Sequence, residues 1–172
     1  MAGVLANPDS ARSRSIRDRY CPKRGGGLLA DGGFEAAQLS NAAATGWRFT
    51  GEGGLDVRID TDAGFGSKAV AVISSLPLRQ VFASQALELA PGRYLVGWRL
   101  PGGAGKVRDR IMVRLTCQQN GGDYLIPVPA DGDRQVAPVE VAADCPRQWI
   151  DLAVDPGMGP VAVDDVTVER VR

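Results

Sequence analysis

The 172-residue sequence contains no histidine, and aromatic residues make up only 6% of it. Histidine is the commonest general base near neutral pH and a frequent metal ligand. Its absence argues against Ser-His-Asp and Cys-His catalysis and against a histidine-bound zinc ion. Chemistry based on carboxylate, lysine or tyrosine side chains stays open.

Long apolar runs and a net charge are also missing. No run of about 18 apolar residues occurs, so the sequence predicts no membrane insertion through a helix. Lys+Arg and Asp+Glu each number 20, and this balance gives no reason to expect nucleic-acid binding. The N-terminus is the exception, because residues 1–27 hold six basic and two acidic residues, a net charge of +4. We interpret this segment as a disordered or partly helical basic arm and linker.

Residues 28–172 predict one all-β domain. The 22 glycines and 11 prolines separate short segments, several of which alternate apolar and polar residues, as Leu55–Asp60 and Arg110–Gln118 do. Asn120-Gly121 is a hairpin signal. Nine to eleven short strands and no convincing interior helix predict an antiparallel β-sandwich or barrel.

The chain has three cysteines, at positions 21, 117 and 145, and no CxxC pair. Cys117 ends a predicted strand and Cys145 precedes another, which favours a Cys117–Cys145 disulfide over two buried thiols. A disulfide implies an oxidising compartment, although residues 1–20 lack the apolar segment of a signal peptide. A fragment, or a late start of a longer exported protein, would reconcile the two observations.

Several short motifs resemble those of carbohydrate-binding-module-like jelly rolls. They are Leu29–Glu35 followed by Gly46-Trp47, then Leu87–Tyr94, and finally Val163–Val168. Leu115–Cys117 with Cys145–Ile150 is also similar to a domain at the C-terminus of bacterial exported tetratricopeptide-repeat proteins. The resemblance covers about residues 28–172 and implies a jelly-roll sandwich of two antiparallel sheets.

Many members of this family hold a structural calcium ion where the first and last strands meet. The resemblance implies Glu35 and Asp164 as ligands, with backbone carbonyls completing the coordination. Strand alternation predicts that Asp164 shares a face with Val166 and Val168, while Asp165 points the other way. The alternative is that the two carboxylates bond backbone amides or pair with an arginine.

The resemblance also implies a non-catalytic module that binds a polysaccharide or glycan. Aromatic rings stack on sugar rings, and polar side chains bond the hydroxyl groups. We expect Arg99 and Arg114 to share one open sheet face, and core packing is the competing interpretation for Trp47 and Trp149. The predicted ligand-binding residues are Tyr124, Trp47, Arg99, Arg114 and Gln118.

Two other functions compete with glycan binding. A structural or protein-interaction β-sandwich without a sugar site is the main alternative, favoured by the sparse aromatic residues. An enzyme on this scaffold is disfavoured, because adjacent aspartates on a regular strand point to opposite faces and cannot flank one bond. We expect a periplasmic or extracellular protein that forms part of a larger multidomain protein.

Overall fold

The computed structural model describes residues 28–37, 39, 46–51, 53–62, 68–102, 110–117, 123–130, 132–157 and 159–171. The predicted basic arm of residues 1–27 lies outside these residues, and the domain boundary at residue 28 stays a prediction. The described part of the chain is built from β-strands and contains no α-helix. The described residues therefore include no helix that is long and apolar enough to cross a membrane.

Ten strands of the described residues form two antiparallel sheets, which confirms the predicted β-sandwich. The strands are β1 Trp47–Phe49, β2 Leu55–Asp60, β3 Ala69–Ser74, β4 Gln80–Leu87, β5 Gly92–Arg99, β6 Ile111–Cys117, β7 Val128–Pro129, β8 Arg134–Val141, β9 Gln148–Val154 and β10 Val161–Arg170. The four-stranded sheet has the order β1-β4-β9-β6, and the six-stranded sheet has the order β2-β3-β10-β5-β8-β7.

Side-chain alternation determines which residues fill the space between the sheets. In β9, Ile150, Leu152 and Val154 are fully buried in the core. Trp149 and Asp151 alternate with them along the strand and therefore point to the outer face of the four-stranded sheet. The large aliphatic residues of the strand thus face the core, and the residues that alternate with them form the outer face of the sheet.

The regular alternation fails in the last strand. Val161 and Val163 are buried, and so are Val166 and Val168. Val166 follows Val163 by three residues, whereas regular alternation would require an even spacing between residues of one face. The register with β5 shifts after Asp164, and Asp165 has a left-handed φ of 48°. These features define a β-bulge, which inserts an extra residue into the strand. The prediction that Asp164 shares a face with Val166 and Val168 is therefore wrong.

The turn formed by residues 28–37 closes the sandwich. The N–H of Val166 donates to the carbonyl oxygen of Gly32 at 2.8 Å, so the bulge in β10 is paired with this turn. Phe34 is buried against Trp47, with 5.1 Å between ring centroids. Trp47 is 0% exposed, and its indole N–H donates to the carbonyl oxygen of Asp31. The predicted ligand-binding role of Trp47 is wrong, because neither face of its ring is open to a ligand.

The predicted disulfide is confirmed. Cys117, at the end of β6, is bonded to Cys145, which lies three residues before β9. The two Cα atoms are 5.5 Å apart, within the range that a disulfide spans. The bond therefore links the neighbouring ends of two adjacent strands of the four-stranded sheet.

Candidate functional site

A row of polar side chains crosses the outer face of the four-stranded sheet. Arg48 on β1 lies opposite Ser84 on β4, and Ser84 lies opposite Asp151 on β9. Asp151 in turn lies opposite Arg114 on β6, and Arg114 forms an isolated bridge with Tyr124. Residues opposite each other on antiparallel strands have neighbouring side chains. The strand register therefore brings five polar residues from separate parts of the chain into one row, which we call the polar row.

Asp151 is the centre of the polar row. Its carboxylate accepts a hydrogen bond from the Ser84 hydroxyl at 2.7 Å, and bonds from Nη2 and Nε of Arg114 at 2.8 and 3.2 Å. Asp151 is only 7% exposed although it points away from the core. Charge-assisted hydrogen bonds to a carboxylate in such a place are stronger than bonds on an open surface. The centre of the row is thus held in one arrangement before any ligand arrives.

Tyr124 lies beside two guanidinium groups at one end of the polar row. The Cζ atom of Arg79 is 4.3 Å from the ring centroid, and that of Arg114 is 5.2 Å away. Arg79 is also bonded to both carboxylate oxygens of Asp155, at 2.6 and 2.9 Å. This hydrogen bonding raises the pKa of the Arg79 guanidinium above its ordinary value. Tyr124 is therefore fixed between two arginines that are themselves held by carboxylates.

Trp149 lies near the opposite end of the face. Its ring is half-buried, and the Cζ atom of Arg48 is 5.0 Å from the ring centroid. The register positions beside Trp149 are held by Ala86 and Thr116. Ala86 has a short side chain, so the long side chain of Arg48 reaches across β4 to the indole. A cation–π contact at an exposed site contributes about 0.5–1 kcal/mol, so a ligand could displace Arg48 at low cost.

The structure brings together only some of the residues predicted for the site. Arg114 and Tyr124 are neighbours, as a common site requires. Arg99, however, lies on β5 in the other sheet, with its Nε atom 3.2 Å from Asp165. The prediction that Arg99 and Arg114 share one face is wrong, because β5 and β6 belong to different sheets. Gln118 lies outside the described residues.

Trp149 was weighed between ligand binding and core packing, and the other residues of the face were not predicted, although the sequence contains a signal for Trp149 and Asp151. Ile150, Leu152 and Val154 alternate along β9, and this pattern alone assigns Trp149 and Asp151 to the opposite face. Core packing as the interpretation of Trp149 is therefore wrong. Arg48, Ser84 and Arg79 had no comparable signal, because their place beside β9 depends on the strand order of the folded sheet.

The two predicted calcium ligands both lie near Gly33. A Cβ atom at Gly33 would lie 3.8 Å from Cγ of Glu35 and 3.9 Å from Oδ1 of Asp164. Asp164 is 1% exposed, and its Oδ1 atom accepts the N–H of Asp165 at 2.6 Å. Glu35 is exposed, and its carbonyl oxygen accepts a hydrogen bond from the ammonium group of Lys68 at 2.6 Å.

These donors are hard oxygens of the kind that calcium prefers. Within the described ranges no three His, Cys, Asp or Glu side chains converge on one point. A calcium ion here would therefore depend on the two carboxylates together with backbone carbonyls. One buried oxygen of the same turn, Oδ2 of Asp31, has no hydrogen-bond partner. The composition of the site fits a cation, and the Lys68 ammonium group would compete with it.

Comparison with known proteins identifies the fold. No protein-family model and no curated protein matches the sequence. Among solved structures, a family 61 carbohydrate-binding module in complex with β-1,4-galactotriose matches with a TM-score of 0.55 and 20% identity, over 87% of this chain and 100% of that one. A C-terminal family 22 carbohydrate-binding module from Clostridium thermocellum matches with a TM-score of 0.53 and 14% identity, over 87% and 96%.

A third match comes from a larger protein. The enzymatically active domain of tailspike protein 4 from bacteriophage CBA120 matches with a TM-score of 0.55 and 19% identity, over 84% of this chain but 21% of that one. At these identities the similarity identifies the architecture. The chain therefore has the two-sheet β-sandwich fold found in carbohydrate-binding modules.

Proposed function

We propose that this chain is a non-catalytic carbohydrate-binding module and that its ligand lies on the outer face of the four-stranded sheet. The observation that carries the proposal is the polar row with a half-buried tryptophan beside it. Trp149 offers a flat apolar surface to a sugar ring, while Ser84 and Thr116 offer hydroxyl groups to its substituents. Solved modules of the same fold support the proposal, and one of them is in complex with β-1,4-galactotriose.

The pairing of the acids on this face supports a binding role over catalysis. Glycoside hydrolysis typically uses two carboxyl groups, one of which protonates the leaving-group oxygen while the other activates a water molecule or attacks the sugar ring. Asp151 and Asp155 are each bonded to an arginine side chain. Such pairing occupies the carboxylate oxygens with guanidinium N–H groups, so the two acids serve as partners of the arginines.

The experiment is affinity gel electrophoresis of the full chain in gels that contain β-1,4-galactan, xylan or polygalacturonate. We expect at least one polymer to retard the protein and Trp149→Ala to abolish the retardation. Leu95→Ala is the matched control, because Leu95 is a partly exposed apolar residue on β5 of the other sheet. Equal retardation of wild type and Trp149→Ala, or no retardation by any polymer, would contradict the proposal.

The disulfide and the fold support proposals about the location of the protein and about the larger protein to which it belongs. A disulfide between Cys117 and Cys145 persists in an oxidising environment, so we propose a periplasmic or extracellular location. The match to a small part of a longer tailspike chain supports the proposal that this domain belongs to a larger protein. The similarity to the C-terminal domain of exported tetratricopeptide-repeat proteins stays a prediction.

We also propose a structural calcium ion held by Glu35 and Asp164, whose side chains both lie near Gly33. When bound, the ion would supply positive charge that fastens the turn of residues 28–37 to β10. We expect calcium to raise the midpoint of thermal unfolding relative to EDTA, and Asp164→Asn to remove the difference. Lys68→Met tests the competing ammonium group and should strengthen the effect of calcium. An unfolding midpoint that is the same in calcium and EDTA would overturn this proposal.

One observation favours the alternative function, a structural or protein-interaction domain without a sugar site. Ile126 and Val128, at the short edge strand β7, are 84% and 56% exposed. Exposed apolar side chains beside an open sheet edge are features of contact surfaces between proteins. Light scattering of the wild type and of Ile126→Ser tests self-association. A monomer at every concentration would exclude self-association as the role of this edge.

A further inference from the structure

The arginines on the outer face of the four-stranded sheet differ in whether a carboxylate pairs with them. Two of its arginines are bonded to carboxylates, Arg114 to Asp151 and Arg79 to Asp155. Arg48, in contrast, has no carboxylate within ion-pair distance in the described part of the chain. Its guanidinium group instead contacts the indole ring of Trp149. Among the described residues, one positive charge without a paired carboxylate therefore lies at the ring that the proposed function assigns to the sugar.

The acids described at the margins of the face lie at other positions than the ring of Trp149. Glu88 follows the end of β4, at the position next to Arg147. Asp123 is exposed next to Tyr124, beyond β6 at the other side of the sheet. The register positions directly beside Trp149 are those of Ala86 and Thr116, and neither residue is an acid.

Arg48 has the freedom that a ligand-binding side chain needs. It is exposed and lies on β1, an edge strand of its sheet. Apart from the cation–π contact, no hydrogen bond or ion pair of its side chain is found in the described residues. A neutral sugar that stacked on Trp149 would displace the guanidinium group and give it no anion in return. A sugar with a carboxylate would displace it and pair with it, and arginine binds carboxylates through two parallel hydrogen bonds.

We propose that the ligand of this face is an acidic glycan, with a hexuronate ring on Trp149 and its carboxylate on Arg48. This proposal depends on the proposed function and specifies its ligand class. A hexuronate suits the pair because its pyranose ring and its carboxylate belong to one residue. The ring matches the indole, and the carboxylate at its edge matches the adjacent guanidinium group.

The test compares polygalacturonate with its fully methyl-esterified form, which keeps the same sugar chain and removes its charge. We expect the acidic polymer to retard the full chain at least tenfold more strongly in affinity gel electrophoresis. Arg48→Gln should lose about tenfold in affinity for the acidic polymer, the typical effect of losing a charge-assisted hydrogen bond. Arg48→Lys should recover part of that loss. Arg58→Gln is the charge-matched control, because Arg58 is exposed on β2 of the other sheet.

Three outcomes would overturn the acidic ligand. They are equal retardation by the acid and its methyl ester, retardation only by β-1,4-galactan or xylan, and equal losses in Arg48→Gln and Arg58→Gln. In the first two cases the protein still binds a polysaccharide, so the proposed function survives. Retardation by no polymer at all contradicts the proposed function itself. Circular dichroism of Arg48→Gln checks that the variant is folded, which we expect because Arg48 is exposed.

Discussion

The bond between Arg114 and Asp151 gives a quantitative test of the polar row. The side chains are 29% and 10% exposed, and two bonds from the guanidinium group reach one carboxylate oxygen. Arg114→Met keeps most of the alkyl chain but removes the charge, leaving the carboxylate with the hydroxyl of Ser84 as its remaining partner in the row. Asp151→Ala removes the acceptor and leaves a guanidinium group that can still reach water.

The expected free energies follow from this difference in burial. Arg114→Met should lower the free energy of unfolding by about 2–3 kcal/mol, because a poorly hydrated carboxylate loses its charged partner. Asp151→Ala should cost less, about 1–2 kcal/mol, because the arginine is the more exposed of the two. The double variant should be less destabilised than the sum of the single ones, with a coupling energy of about 1–2 kcal/mol.

Urea denaturation of the four proteins, with the disulfide intact, measures this coupling energy. Arg58 and Asp56 form the control pair, since their side chains are 57% and 58% exposed on the surface of the other sheet. Their coupling should be below about 0.5 kcal/mol, as is usual for exposed ion pairs. A coupling between Arg114 and Asp151 that does not exceed this control would refute the description of the row as a held network.

Three further predictions concern the stability of the sandwich, and urea denaturation checks each of them. Cys145→Ser opens a disulfide that joins residues 28 apart, which should cost about 3–4 kcal/mol; equal stability of the oxidised wild type and the variant would contradict this. Trp47→Ala removes a fully buried ring and should cost about 3–5 kcal/mol, whereas Trp149→Ala should cost less than about 1.5 kcal/mol; equal costs would disprove the assignment of the two rings. Gly32→Ala would bring a Cβ atom to 1.8 Å from a carbonyl oxygen of β10 and should destabilise strongly, while Gly51→Ala, with its nearest contact at 4.0 Å, should be nearly neutral.

Much of the fold follows from local patterns in the sequence. Alternation in β2 and β6 and the turn residues between strands predicted short antiparallel strands, because these features act over a few residues. The disulfide was also predictable, since Cys117 ends one strand and Cys145 lies shortly before another. The bulge at Asp165 was not. The valines change phase between Val163 and Val166, but this change does not distinguish a bulge from a break in the strand until the partner strand fixes the register. Counting alternate residues back from Val168 passes over it and gives the wrong phase for Asp164.

The candidate site was harder to predict because it depends on which strands become neighbours. Arg99 and Arg114 look equivalent in sequence, each in an alternating strand, yet their strands belong to different sheets. The two tryptophans differ in this respect. Alternation along β9 assigns Trp149 to the outer face, whereas the burial of Trp47 depends on the turn of residues 28–37, which covers its ring. Long-range contacts decide the positions of the two arginines and of Trp47, and local propensity contains little information about such contacts.

The indole N–H signals of the three tryptophans provide the most direct test of the proposed binding face. Trp47 and Trp98 are buried, while Trp149 is half-buried on the outer face of the four-stranded sheet. In a ¹H–¹⁵N NMR titration with oligogalacturonate or β-1,4-galactotriose, the Trp149 indole signal should move in proportion to saturation while the other two stay in place. Amide signals of β4, β6 and β9 should move with it. A titration that left the Trp149 signal unchanged, or that moved only amides of the six-stranded sheet, would contradict the proposed binding face.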